Sequence, residues 1–167
     1  ENVTYQCSAK LQNDVTVSNW VPIGTEENPF YSSFDGNGKS ITIYGMSSGY
    51  DYVGLFGCVQ NATISNVVVE GEISSESAKY VGGIVAYCVV GDSSTIIKNC
   101  VNKANVNLST RDSSNDEYIA VGGIVGYAEG NCNVENSVNN GEIKNSATGN
   151  FTSTAGIIGM VGNNSYS

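Results

Sequence analysis

Few residues of this chain combine a reactive type with the spacing that chemistry requires. Histidine is absent, which removes Ser-His-Asp and Cys-His nucleophile pairs, the zinc-peptidase helix motif and every His-ligated metal site. Five cysteines (Cys7, Cys58, Cys88, Cys100 and Cys132) stand too far apart for zinc-binding pairs, and an odd number leaves at least one thiol outside any disulfide within the chain. Buried thiols acting as small apolar fillers are expected ahead of one disulfide. Asp35-Gly36-Asn37-Gly38 superficially resembles a calcium loop, but it lacks alternate oxygen ligands and a Glu at the twelfth position, so a turn is expected. Asp112, Asp116 and Glu117 gather in one polar stretch, which reads as a solvated insertion ahead of a cation site. Glu70, Glu72, Glu135 and Glu142 recur near a repeated phrase. Retaining glycoside hydrolysis needs two carboxylates about 5 Å apart, whereas Glu72 and Glu142 align two layers apart, at ~10 Å, with Asn105 between them. No catalytic residue, cofactor or metal site is therefore expected. The candidate ligand-binding set is Tyr44, Tyr50, Tyr52 and Tyr118, which lie beside polar connections where an aromatic ring can stack on a sugar. Tyr also suits a strand surface with no ligand, and that reading stands beside the first.

The elements that would hold these residues come from repetition. One phrase occurs four times: VGLFG from Val53, VGGIVAY from Val81, VGGIVGY from Val121 and AGIIGM from Ala155. A second phrase follows the first three, starting at Ile64, Ile97 and Val134. The first-phrase anchors are 28, 40 and 34 residues apart and the second-phrase anchors 33 and 37. Constant phrases with unequal spacing put the insertions into connections, namely 74–79, 110–117 and 144–152, all rich in Ser, Asn, Asp, Glu and Thr. Short Gly-bounded runs of β-branched residues and Tyr are strands, and no stretch keeps a helical period. The second phrase reads as strand, turn, strand. One such repeat cannot bury its own apolar face, so the repeats are expected to stack, each strand pairing with its equivalents above and below. The fold class expected is all-β, a β-solenoid of irregular repeats.

Stacking predicts columns of like residues. Asn66, Asn99 and Asn136 align, either as an amide ladder or as three left-handed turns. Tyr87 and Tyr127 align with Cys58 and Met160, which places them at core or corner positions. Cys100 aligns with Val67 and Ser137. The first fifty residues differ: Asp35 to Gly38 make a tight turn into a strand with Ile41 and Ile43 on one side. Trp20, Pro22, Pro29, Phe30 and Phe34 supply the bulk for a cap over the open end. The chain thus divides into residues 1–50, capping strands and first coil, and residues 51–167, the repeats. The pattern stops in mid-repeat after Met160, which predicts continuation of the repeats in a longer product.

The net charge is -9 with only seven Lys and Arg, too few for a basic stripe, so nucleic acid is not an expected partner. No apolar run reaches the ~20 residues of a membrane span, so no membrane insertion is expected.

The combined phrases W-x-P-I-G at Trp20 to Gly24, F-D-G-N-G-K-x-I at Phe34 to Ile41, then V-G-L-F-G, V-G-G-I-V-G-Y and I-x-N-C/S-V-N-x-G-x-I resemble the GLUG-motif repeat proteins. The motif itself is Gly54-Leu55-Phe56-Gly57, echoed at Gly83-Ile84-Val85-Ala86, Gly123-Ile124-Val125-Gly126 and Gly156-Ile157-Ile158-Gly159. The resemblance covers about Trp20 to Met160, with Ala86 and Met160 departing from the usual residues. It implies a right-handed parallel β-helix in an exported, extracellular or cell-surface bacterial protein, often adhesin-like, whose repeats are rarely catalytic. A peptidase carried elsewhere by some members is not carried over, since no zinc motif is present here. The expected role is a non-catalytic structural or adhesive segment of a larger protein, with recognition in the loops after Ile73 and Val106. A carbohydrate-binding module is the alternative, and a polysaccharide-degrading enzyme comes third. The expected partners are a host or microbial glycan or a surface protein.

Overall fold

The computed structural model describes residues 8–113, 118–149 and 151–162. Within them the chain is all-β without a helix, and every strand pairing is parallel. Four principal sheets carry the phrases. Sheet A stacks Ala9–Lys10, Ser33–Asp35, Thr63–Ser65, Thr95–Lys98 and Cys132–Glu135 in that order. Sheet B stacks Val15–Trp20, Ser40–Met46 and Val68–Ser75. It continues as two short columns, Val101–Asn102 with Val138–Asn139 and Asn105–Leu108 with Ile143–Asn145. Sheet C holds Phe56–Val59, Val85–Cys88, Val125–Ala128 and Ile158–Val161, and sheet D holds Tyr52–Val53, Tyr80–Gly82, Ile119–Gly122 and Thr152–Ala155. From Tyr52 onward the chain visits D, C, A and B in the same order in each repeat.

The register keeps most aligned columns together. Phe34, Ile64, Ile97 and Val134 lie on successive rungs of sheet A, and Val53, Val81 and Val121 on those of sheet D. One anchor moves: Ala155 sits opposite Gly122, and Thr154 takes the place opposite Val121. The fourth phrase thus begins one residue late. The aliphatic side chains meet in one continuous core, in which Leu55, Ile64, Ile84, Ile97, Ile119 and Ile124 are fully buried. Phe30 and Phe34 pack on Phe56, with ring centroids 5.0 and 5.4 Å apart.

The first fifty residues join the same ladders, since Val15–Trp20 pairs with Ser40–Met46 and that strand with Val68–Ser75. Over sheet C the chain is irregular, touching it through bridges at Ile23 and Phe30, and the Trp20 indole Nε1 donates to the Leu55 carbonyl at 3.0 Å. Asn37 and Gly38 both have positive φ, 54° and 71°, as the Asn-Gly signal demands. The flanking strands lie in different sheets, so this turn is a corner and not a hairpin.

The second phrase departs from expectation in one copy. Strand, turn, strand holds for Val101–Asn102 with Asn105–Leu108 and for Val138–Asn139 with Ile143–Asn145, but Val68–Ser75 runs through unbroken. The cause is a single side chain. Asn102 folds back on its own backbone, its Nδ2 donating to the Ala104 carbonyl at 2.9 Å and its Oδ1 accepting from the Ala104 N–H at 3.1 Å. Asn139 makes the same pair with Gly141, at 3.1 and 3.2 Å. The equivalent of Asn102 in the continuous strand is Val69, which has no polar atom to turn the chain, and Gly71 at φ 93° carries the strand onward.

The same amides lock the two phrases together. Asn102 is fully buried and also donates to the Asn139 Oδ1 at 2.8 Å. A Cβ built on Gly83 would stand 2.5 Å from the Asn102 Cγ, and one on Gly123 would stand 2.6 Å from the Asn139 Nδ2. A glycine of the first phrase is thus the seat of an asparagine of the second, sixteen to nineteen residues on. The phrase with Val69 in that position has a single glycine, Gly54, before its apolar run; those with asparagine have two.

Insertions read as loops are partly strand. Ser74 and Ser75 end the long strand, and Asp112–Ser113 pairs with Thr148–Gly149, so two insertions hold each other.

Replacing Asn102 by Ala takes away the amide that donates to the buried Ala104 carbonyl and one of the two N–H donors on the Asn139 Oδ1, a loss of about 1–3 kcal/mol. Urea denaturation of N102A is expected to give a lower midpoint, with N102V also destabilised because it removes the same amide hydrogen bonds. A midpoint equal to the native one would contradict the lock.

Candidate functional site

The four candidate tyrosines do not form one platform. Tyr44 is the most open, at 66% exposure on Ser40–Met46 of sheet B. Tyr50 is half-buried against the main core. Tyr52, on sheet D, stacks on Tyr80 with centroids 5.6 Å apart and donates its hydroxyl to the Glu26 carboxylate at 2.7 Å. Tyr118 is exposed and packs on Phe151 at 5.2 Å.

Tyr52 belongs instead to a second, smaller core. Tyr87 sits opposite Cys58 and Tyr127, and Tyr127 opposite Met160, as the aligned phrases require. Tyr80 stacks nearly flat on Tyr127 at 4.6 Å, and Tyr87 tilts against both. Burial pushes the Tyr52 and Tyr87 phenols well above their ordinary range, with the Glu26 and Glu129 carboxylates adding to it. Tyr87 donates to Glu129 in a short contact. Burial likewise pushes the Cys58 thiol up to about 12. These rings are spent on one another, and two carboxylates satisfy the hydroxyls at the rim.

The outer face of sheet B carries the remaining polar groups. Tyr44, Glu72, Asn105 and Glu142 follow one another on successive rungs. Asn105 separates the two carboxylates, and its Oδ1 accepts from the Glu142 N–H at 3.2 Å. Two rungs at ~4.8 Å hold Glu72 and Glu142 too far apart for a retaining pair. Glu142 is bridged by Lys144 at 3.1 Å and Glu70 by Lys103 at 2.9 Å. Concave places are shallow: a depression of 310 Å³ lined by Met46, Gly49 and serines, and one of 320 Å³ at Ile23, Pro29, Phe30 and Tyr31. Residues 114–117, which include Asp116 and Glu117 of the acidic insertion, lie outside the described residues. Among the described residues no three His, Cys, Asp or Glu gather into a metal site, and no helix is long and apolar enough to cross a membrane.

The turn reading of the aligned asparagines holds for all three, and the ladder reading for Asn66 and Asn99. Asn66, Asn99 and Asn136 have φ of 54°, 54° and 47°. The Asn99 Nδ2 donates to the Asn66 Oδ1 at 3.2 Å, and the Asn66 Nδ2 to the Asp35 carboxylate at 3.0 Å. Turn and ladder therefore coincide at Asn66 and Asn99. Cys100 is buried and opposite Val67 and Ser137, as a filler should be.

Sequence reasoning missed three pairings here. Glu26 and Glu129 as phenol acceptors lie 26 and 42 residues from their partners, with no local signal. Cys88 and Cys132 meet across 44 residues, with sulfurs 3.0 Å apart.

The architecture thus defines an all-β protein of parallel, repeated layers. Residues 117–144 match the GLUG motif. The match spans Gly123 and Asn139, both halves of the interior lock. No curated protein and no solved structure matches the chain.

Asp35 yields a pH test. The Asn66 amide, then the Asn37 N–H and Lys10, hold its carboxyl down at about 2, below the ~3.9 of an unfolded chain. A depressed folded value stabilises above the unfolded one and loses that contribution as pH falls toward 2. The melting temperature of D35A is expected to lie below the native one at pH 7, with the gap narrowing from pH 4 to pH 2. A gap independent of pH would contradict this.

Proposed function

We propose that the chain winds as a β-solenoid, a right-handed parallel β-helix with residues 1–50 as cap and first coil, and serves as a non-catalytic structural or adhesive segment of a larger exported bacterial protein. The observation that carries the winding is the recurrent order of sheets D, C, A and B, each strand in parallel register with its equivalent one repeat away. Right-twisted strands joined by parallel crossovers favour the right hand. The bulky N-terminal side chains suit a cap, since Phe30, Phe34 and Trp20 close on Phe56 and Leu55. An extracellular or cell-surface location belongs to the same proposal, as does a glycan or surface protein as partner.

A structural role is favoured by how the side chains are used. Aromatic rings stack on one another, amides bond along the stack, and the carboxylates of Asp35, Asp51, Glu70 and Glu142 sit in ion pairs and those of Glu26 and Glu129 on phenols. The carbohydrate-binding reading rests on one observation, the open ring of Tyr44 beside the polar row of sheet B.

A glycan array probed with the chain and with Y44A separates the two. The structural reading predicts no Tyr44-dependent signal, and tight binding abolished by Y44A would overturn it in favour of the carbohydrate module. Release of reducing ends from a polysaccharide would overturn both.

A further inference from the structure

Cys88 closes the strand Val85–Cys88 of sheet C and is almost fully buried; Cys132 opens the strand Cys132–Glu135 of sheet A and is half-buried. Their sulfurs are 3.0 Å apart. The two lie in successive repeats, because Cys88 pairs with Ala128 and the chain then turns at Gly130, φ 82°, to reach Cys132. That turn is held in place: the Glu129 N–H donates to the Cys88 carbonyl at 2.9 Å, and the Cys132 N–H to the Gly130 carbonyl at 3.0 Å. The aligned residues elsewhere are Val59 and Ala128 for Cys88 and Thr95 for Cys132, so only this corner places two thiols together among the described residues. Cys100, by contrast, turns its S–H to the Lys98 carbonyl at 3.3 Å.

We propose that Cys88 and Cys132 are a disulfide-forming pair, a covalent staple between successive repeats at the corner of sheets C and A. The sulfurs need to close by only ~1 Å to reach bonding distance, from a backbone already fixed by hydrogen bonds. The oxidant is a disulfide of the glutathione class, R–S–S–R. The Cys132 thiolate, the one solvent reaches, attacks it; a Cys132–S–R bond forms and the first thiol RSH leaves after taking up a proton. The Cys88 thiolate then attacks the Cys132 sulfur, the Cys88–Cys132 bond forms, and the second RSH leaves. Two electrons and two protons pass to R–S–S–R. Burial pushes the Cys88 thiol up, so the second attack is the slower one and the mixed disulfide on Cys132 precedes the staple. The staple forms whether or not the chain is a spacer.

The test incubates the full chain with excess oxidised glutathione, alkylates the remaining thiols and maps the peptides. The expected result is one linked pair, Cys88 with Cys132, reversed by dithiothreitol, and a melting temperature raised on the order of 5–10 °C by closure of a loop of 44 residues. C7S is expected to keep the link. C88S is expected to hold glutathione on Cys132 without forming it, which a chain that had merely unfolded would not do selectively. Full alkylation of both Cys88 and Cys132 at equilibrium, or a dominant link between another pair, would overturn the proposal. So would a link that leaves the melting temperature unchanged or lowered, since a native staple must fit the fold.

Discussion

The contact on which each full repeat depends joins a glycine of one phrase to an asparagine of the next. Asn102 and Asn139 spend their amides on their own following residues, on each other and against Gly83 and Gly123. A buried amide is tolerable only when its donors and acceptors are met, and here the partners come from the turn backbone and the neighbouring asparagine, with the glycine leaving room for the amide. The lock explains why two glycines accompany each asparagine and why the second phrase breaks into two strands where it carries one. It also explains the exception, since Val69 with Gly71 gives an uninterrupted strand.

Parallel stacking extends this logic to every column. A strand in such a layer has its N–H and C=O groups met by the layers on either side, so an in-register column must tolerate the same environment repeatedly. Apolar columns fill the interior, and polar columns bond along the stack, as the chain Asp35, Asn66 and Asn99 does. The tyrosines of sheets C and D form a second core partly for the same reason: Tyr52 and Tyr80, and Tyr87 and Tyr127, meet as equivalents one repeat apart, and the stack of Tyr80 on Tyr127 joins the two columns. Surface ion pairs such as Glu70–Lys103 add little to this.

The phrase register was legible because repetition exposes it: Ile64, Ile97 and Val134, and Cys58, Tyr87, Tyr127 and Met160, fall where alignment puts them. Ala155 did not, because a one-residue difference in the Gly-Gly step is hidden when only apolar residues are matched. The grouping of Tyr44, Tyr50, Tyr52 and Tyr118 was not legible either. Neighbours in sequence go to different sheets as the chain turns corners, and Tyr52 is drawn to Tyr80, one repeat away. The meeting of Cys88 with Cys132 follows from a corner between layers, which composition and spacing do not reveal.

The most direct measurement of the interlock is a double-mutant cycle between Gly123 and Asn139 by equilibrium denaturation. Gly123→Ala crowds both the Asn139 amide and the Gly156 carbonyl, a strain of about 1–3 kcal/mol. In the Asn139→Ala background the amide is gone and only the carbonyl opposes the methyl. The account predicts that the penalty of Gly123→Ala is clearly smaller there than in the native chain. Equal penalties in the two backgrounds would contradict it.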